Sequence, residues 1–436
     1  MTEKCANCLK DNEEGSANIA FAVGGGIQEA AFSMKHVPGR AGSYEDAGRG
    51  YRMFIPAALP PDPPLELNGD IISLLSEADI ALGRLDGVAE FTPNPNLFLA
   101  MYVRKEAVMS SQIEGTQATL LDVLKFEAER GEGDIQAEIG EVVSCVAAIN
   151  YGLSRLAQLP LCLRLIKETH ARLMQDSRGS ARDPGEFRRI QNWIGSGADI
   201  TKASFVPPPP DVILRALYDL EKSMQSDVPM PVLVRVALVH YQFETIYPFL
   251  DGNGRLGRLL VTLVLCEKGA LKKPMLYLSY YLKRYRSEYY ERLMAVRDAG
   301  DFEGWIRFFL QAVIDTANHA TNIARQIVGL NAAHRRCIAS EFARSPQAPA
   351  LLEWLYDNPI TSIRKAAEAL SVSIPTATKL VRSFEDLGIL VETTGGMRGK
   401  LYAYRDYLSI LCDDDAAFEA YTAVDQALST RLRGHA

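Results

Sequence analysis

The sequence predicts a mainly α fold closed by a C-terminal winged helix-turn-helix. Three observations lead there. Apolar residues recur at helical spacing from Ile71 almost to residue 328. Strands never alternate with helices in the manner of a βαβ unit, and no internal repeat occurs. The segment from 351 to 404 changes character, to three short helical runs followed by two β-prone runs around a Gly-rich tip.

Residues 1–45 read as a loose leader, rich in Gly, Ser, Asn and acids, with Gly24-Gly25-Gly26 at its centre. The Pro-rich stretch 56–64 is extended. Leu74, Leu75, Ala78, Ala81, Leu82 and Leu85 share one helix face, and after the Asn94-Pro95-Asn96 turn a second helix covers 97–109. The pattern stays helical from 136 to 224, except at 193–210. There Gly195, Gly197 and four consecutive prolines predict a short hairpin or flap. Helices follow over 232–244, 255–267, 280–298 and 302–328. The C-terminal unit has helices over 351–356, 363–370 and 375–387, ended by Gly388, then β-prone 389–391 and 401–404. The organisation expected is a leader over 1–45, a helical segment over 46–130, a core over 131–335, the winged unit over 345–410 and a tail over 411–436.

Composition bounds the function. The 436 residues are 47% hydrophobic and 23% charged, which excludes a wholly disordered chain. No apolar run reaches the ~18 residues of a spanning helix, so no membrane partner is expected. A net charge of −7 provides no global field for nucleic acid. Seven scattered cysteines point to free thiols in a reducing compartment, hence the cytoplasm. Cys5-x-x-Cys8 is half a zinc site with no second pair to complete it.

The chemistry concentrates at 240–260. A helix stops at Pro248, and a Gly-rich turn feeds a new helix. Backbone N–H groups of Gly252, Asn253 and Gly254 at that helix start form an anion cradle. Arg255 and Arg258 lie three apart and suit phosphate oxygens. Asp251 offers one hard oxygen ligand for Mg²⁺. The set reads as a nucleotide polyphosphate site. Gly252-x-Gly254-x-x-Gly257 also fits the dinucleotide fingerprint, but a helix precedes it where that motif needs a strand. His240, two helical turns before Tyr247, is roughly 10 Å from it and reads as a packing residue.

These residues resemble the Fic signature, His-Pro-Phe-x-Asp/Glu-Gly-Asn-Gly-Arg-x-x-Arg after Phe-x-x-Ile. Phe243, Ile246, Pro248, Phe249, Asp251, Gly252, Asn253, Gly254, Arg255 and Arg258 match, and Tyr247 stands where the family has its catalytic His. Residues 184–188, 192–195 and 205–210 resemble the approach to the family's flap. Ser110, Glu114 and Gly115 resemble its inhibitory Ser-x-x-x-Glu-Gly helix. The resemblance implies a Fic-type helical core with a small hairpin flap. It implies AMP transfer from ATP to a Tyr, Thr or Ser hydroxyl of a target protein, or self-modification. Asn253 would steady the α-phosphate, Arg255 and Arg258 the outer phosphates, and Asp251 the Mg²⁺. Glu114 would hold Arg258 at rest, and the flap at Ile194 and Phe205 would register the target.

Tyr247 alters that expectation. A His titrates near ~6.5 and serves as a base, whereas a Tyr at ~10 is a donor. Loss of such a base costs ~10²–10⁴-fold in rate. Residual or changed transferase activity, a nucleotide-binding pseudoenzyme, and an engineered or chance substitution are all compatible with the residue. In the winged unit, Lys379 and Arg382 on its third helix and Arg398 and Lys400 at the wing are the DNA candidates. Residues 361–410 hold seven basic and five acidic residues, a weak excess for phosphate neutralisation. Protein contact or homodimerisation is the other use of such a unit.

Overall fold

The structure is a computed structural model that describes residues 39–91, 96–129, 137–175, 182–195, 197–343, 345–394 and 399–412. The chain divides after Lys35 into two units, and every described residue belongs to the second. Most of the expected leader, the wing tip with Arg398, and the tail from 413 lie outside the described residues.

The first element is a hairpin that the sequence reading does not contain. Strand β1 (Gly42–Asp46) pairs antiparallel with β2 (Arg52–Pro56), Gly42 opposite Pro56 and Asp46 opposite Arg52. Asp46 Oδ1 accepts the Gly48 N–H at 2.8 Å, which closes the turn. Gly42 is obligatory, because a Cβ there would lie 2.1 Å from the Ile55 carbonyl oxygen. β1 starts inside the segment read as leader, and its five residues carry too little alternation to announce a strand.

Fifteen α-helices follow among the described residues. Helix α1 (Gly69–Phe91) packs on the long helix α11 (Phe302–Glu341); of its expected face Ala78, Ala81, Leu82 and Leu85 are buried, Leu74 and Leu75 are partly buried, and Ile71 is buried too. Then come α2 (Asn96–Ile113), α3 (Leu120–Ala128), α4 (Ala137–Leu156), α5 (Leu163–Leu173), α6 (Pro210–Gln225), α7 (Val232–Ile246) and α8 (Asn253–Glu267). Every residue of α7 from Leu233 to Ile246 is buried, as are nearly all of α8. A helix buried on all sides lies at the centre of a core, and α7 does so while carrying Arg235, His240, Gln242 and Glu244. α7 and α8 pack on each other, α2 and α4 lie on α8, and α6 lies on α7. The α7–α8 connection is therefore braced from every side.

The helix expected over 280–298 is two, α9 (Ser279–Arg284) and α10 (Arg286–Ala299), because Tyr285 leaves helical geometry at φ −111° and ψ 41°. α11 (Phe302–Glu341) runs for 40 residues, well past the expected end near 328. Its Trp305 indole donates to the Ala237 carbonyl at 2.8 Å and locks it to α7. The C-terminal unit holds α12 (Gln347–Asp357), β3 (Ile360–Ser362), α13 (Ile363–Ala369), α14 (Ile374–Asp386), β4 (Val391–Glu392), β5 (Leu401–Ala403) and α15 (Arg405–Leu411). Its three strands pair antiparallel in the order β3-β5-β4. Ser362 caps α13 and Ser373 caps α14, where Pro375 sits in the first turn. Among the described residues, no helix is long and apolar enough to cross a membrane.

Candidate functional site

The site is the connection between α7 and α8. Helix α7 ends at Tyr247, whose backbone is left-handed at φ 49°, an unusual state for a residue with a Cβ. Pro248 then withholds the N–H that another turn would need. Asn253 closes the loop on itself: its Oδ1 accepts the Phe249 N–H and its Nδ2 donates to the Phe249 carbonyl, both at 2.8 Å. Its side chain is thus committed to the loop's shape, while its backbone N–H stands in the first turn of α8. Gly252 is left-handed at φ 75°, and a Cβ there would lie 2.8 Å from Met174 Sδ.

Two residues hold this loop: His170, to which sequence reasoning gave no role, and Arg188, which it placed only within the 184–188 stretch that resembles the approach to the flap. His170 on α5 accepts the Gly185 N–H on Nδ1 at 2.8 Å, so its proton is on Nε2, which donates to the Asp251 carbonyl at 3.0 Å. The ring stacks on Phe249 at 3.7 Å, and burial pushes its pKa down to about 4, so it stays neutral. Arg188 donates to the carbonyls of Tyr247 (3.0 Å), Ile190 (3.2 Å) and Pro208 (2.5 Å). Burial draws its guanidinium down to about 10. A lone His in a sequence has no spacing partner to mark it.

The charges sit on the first turns of α8. Arg258 is buried; its Nη2 meets Glu114 Oε1 at 2.7 Å and the Ser110 carbonyl at 2.9 Å, and its Nε donates to Ser110 Oγ at 2.9 Å. Gly115, at φ 102°, turns the chain away just after Glu114. Gly254 makes room for that carboxylate, since a Cβ would fall 2.2 Å from Glu114 Oε1. Arg255 is also buried, yet its Nε and Nη1 have no hydrogen-bond acceptor. Its Nη2 is 3.9 Å from Asp251 Oδ1. Buried donors left unmade are costly. Asp251 Oδ1 accepts the Gly252 N–H at 2.7 Å, and Oδ2 lies 3.5 Å from Arg182. Among the described residues no group of three or more His, Cys, Asp or Glu is placed to hold a metal, so Asp251 is a lone carboxylate.

Tyr247 is partly buried. Burial, with the carboxylates of Glu114, Glu244 and Asp251, pushes its phenol well above its ordinary pKa. Glu244 escaped the sequence reading altogether. Its Oε1 is buried without a hydrogen-bond partner, and burial raises its pKa to about 7 against the pull of Arg258. Gly257 faces it, since a Cβ there would stand 2.1 Å from Oε1. His240 is spent on packing, with Nδ1 on the Gly257 carbonyl and Nε2 on the Tyr289 hydroxyl, both at 2.9 Å.

The predicted flap is a single antiparallel bridge. Ile194 N–H donates to the Phe205 carbonyl at 2.8 Å, and Phe205 N–H returns to Ile194 at 3.2 Å. Asn192 Nδ2 ties its base to the Phe249 carbonyl at 2.9 Å. Phe54 N–H of β2 donates to the Val206 carbonyl at 2.9 Å, so the unforeseen hairpin supports the flap. The structure thus brings Ser110, Glu114, Gly115, Tyr247 and 251–258 together. Lys379 and Arg382 form a separate exposed pair on α14. Lys400 is taken by Glu392 at 2.5 Å.

Two family models match this chain. Fic/DOC family N-terminal covers residues 72–154, with Ser110 and Glu114, and Fic/DOC family covers 160–265, with the flap and the α7–α8 loop. Residues 72–154 and 160–265 are of the Fic family. Curated proteins named protein adenylyltransferase Fic are similar to it: that of Drosophila grimshawi is 30% identical over 253 residues, and that of Drosophila willistoni 32% over 205. These alignments cover 56% and 45% of this chain, but only 45% and 37% of those relatives. The chain therefore spans less than half the length of the curated relatives it matches. The crystal structure of a Fic family protein from Desulfovibrio desulfuricans G20 superposes with a TM-score of 0.50 at 22% identity, over 78% of this chain and 97% of that one. The mainly helical architecture is the family's fold.

Proposed function

We propose that this Fic protein transfers AMP from ATP to a hydroxyl of a protein Tyr, Thr or Ser, that Glu114 restrains it, and that Tyr247 slows it. One observation carries the reading: two buried arginines share the start of α8, one without acceptors on Nε and Nη1, the other held by the chain's own carboxylate. That is an anion site half filled from within.

In this reading Arg255 and the free N–H groups of the first turn of α8 receive phosphate oxygens, aided by the helix dipole. Asp251 holds Mg²⁺, which neutralises phosphate charge when bound. Arg258 reaches the outer phosphates once Glu114 leaves it. The target hydroxyl oxygen bonds to the α-phosphorus, the bond to the β-phosphate's bridging oxygen breaks, and pyrophosphate departs. The hydroxyl proton has no His to accept it. The raised Tyr247 phenol is protonated and donates rather than accepts, so the proton goes to solvent and the step is slow. The flap pairs with an extended target segment by strand addition. An ATP substrate and scattered thiols fit a cytoplasmic protein.

The neutral phenol also favours a second reading, a nucleotide-binding regulator that acts through the C-terminal unit on DNA, another protein or a second copy. The same experiment separates the two. With labelled ATP and Mg²⁺, the first reading expects label on protein that rises in Glu114→Gly and again on adding Tyr247→His. ATP binding without label in any variant supports the second reading.

A further inference from the structure

The α7–α8 loop holds two groups that transfer to a target does not use. The first is the Tyr247 phenol. The backbone around it is pinned: the Tyr247 N–H donates to the Phe243 carbonyl at 2.9 Å, its carbonyl accepts from Arg188 Nε at 3.0 Å, and the Pro248 carbonyl accepts the Arg188 N–H at 2.9 Å. These bonds hold a tyrosine at φ 49°, a sparsely populated state that persists where the surroundings impose it. The side chain thus leaves from a fixed root. It is partly buried, yet among the described residues its hydroxyl has no hydrogen-bond partner. The phenol feels the charges of Glu114, Glu244 and Asp251, and Arg258 feels Glu114 and Glu244 as well, so both groups face one set of carboxylates. The second group is Glu244, three residues before Tyr247 on the last turn of α7. Its Oε1 is buried without a hydrogen-bond partner, in a hollow that the glycine at 257 leaves open.

We propose that Tyr247 is itself an AMP acceptor: its phenol oxygen takes AMP from ATP held at the start of α8, and Glu244 takes the phenol proton. The inference rests on the reading of that helix start as a nucleotide site. The bond from Tyr247 Oη to the α-phosphorus forms. The bond from that phosphorus to the oxygen bridging to the β-phosphate breaks, and pyrophosphate leaves with the electron pair. The proton passes to the Glu244 carboxylate. A protonated phenol is a weak nucleophile, and an adjacent base is what such a step needs. Burial raises Glu244 to about 7, close to working pH for a base. Two features favour the loop's own tyrosine over a visiting hydroxyl. Its hydroxyl is committed to no other group, and it is tethered beside the site, which removes the entropic cost of bringing an acceptor in. The reaction is self-limiting. Each chain has one such phenol, and the AMP left on it stands beside the seat that the next ATP would need.

The test gives the full chain ATP labelled in the α-phosphate, with Mg²⁺, and reads intact mass and the peptide that carries residue 247. Affinity for an ATP analogue with a methylene bridge between the α- and β-phosphates is measured alongside and does not depend on transfer. The proposal predicts label that saturates at a single AMP on each chain, lies on Tyr247 and arrives about ten-fold faster in Glu114→Gly. Tyr247→Phe still binds the analogue and loses the label. Glu244→Gln still binds it and labels about 10²-fold more slowly. Mapping in the unaltered protein decides the acceptor even where the Phe variant fails to fold. Label that persists in Tyr247→Phe, or that maps only to other residues, overturns the proposal. So does analogue binding with no label on Tyr247 in either the unaltered protein or Glu114→Gly, and an unslowed Glu244→Gln removes Glu244 as the proton acceptor. Transfer to a target is judged separately. It stands without the proposal if Glu114→Gly/Tyr247→His labels other proteins while Tyr247 never carries AMP. It fails with the proposal intact if label is confined to Tyr247 and no variant labels another protein.

Discussion

The α7–α8 loop and the C-terminal unit both carry arginines and lysines at helix starts and turns, but they treat them in opposite ways. At the loop the cations are buried. Arg258 faces a carboxylate delivered by another helix, and Arg255 keeps Nε and Nη1 without acceptors. In the C-terminal unit the cations are exposed or half-buried, and several are matched locally: Lys400 by Glu392, Arg364 by Glu368, Arg405 by Asp406. A buried charge is maintained at a cost and therefore marks a site. An exposed, neighbour-paired charge contributes roughly 0–1 kcal/mol and marks little.

The sharpest way to break that contrast is to delete one arginine from each region. Arg258→Ala strands Glu114 beside Glu244 and is expected to cost about 2–4 kcal/mol in denaturant unfolding, while Arg382→Ala stays within about 0.5 kcal/mol. Comparable losses would erase the distinction. Next in size is Tyr247→His. Restoring a base of suitable pKa is expected to raise AMP transfer about 10²-fold in the Glu114→Gly background, with ATP affinity unchanged. An unaltered rate there means that Tyr247 is not what limits transfer.

Glu244 supplies a pH test of the buried side. Its folded pKa is raised by burial, from about 4.5 to about 7, against the opposing charges of Arg258 and Arg297 and with the like charge of Glu114. Between those values the folded state binds more protons than the unfolded one. Its contribution is therefore present at low pH and is lost as pH rises through about 7. Glu244→Gln should flatten that fall, gaining on the order of 1–3 kcal/mol relative to the unaltered protein between about pH 5 and pH 8. A parallel pair of stability curves would remove Glu244 as a strained carboxylate. The smallest effect belongs to the C-terminal unit. With Lys379 and Arg382 as its exposed pair on α14, any duplex DNA affinity should fall with salt at a slope no steeper than about −2. A steep slope abolished by Lys379→Glu/Arg382→Glu would show that this surface collects phosphates after all.

Much of the site was legible because it is contiguous. The run from Phe243 to Arg258 fixes a helix stop, a turn and a helix start within one short stretch, and Ser110, Glu114 and Gly115 sit at a spacing that one helix face explains. The meeting of Glu114 and Arg258, 144 residues apart, rested on the family resemblance, since no local pattern encodes it. His170 and Glu244 are illegible for the same reason, and Arg188 is legible only within the 184–188 resemblance, since the importance of each lies in which backbone or charge it meets. The bonds of the Asn253 side chain to Phe249 are likewise absent from any sequence pattern. Helices were found by their periodicity, whereas β1–β2 was hidden by its brevity and by Gly42, which is there because the facing Ile55 carbonyl leaves no space for a side chain.

The central claim is that Glu114 occupies an anion site belonging to a nucleotide. Its most direct test is the incorporation of label from ATP with Mg²⁺ into the unaltered protein and into Glu114→Gly, read together with ATP affinity. The account predicts tighter ATP binding and at least about ten-fold more label in the variant, an interaction difference of about 1.4 kcal/mol. Equal affinity and equal label in the two proteins would contradict it.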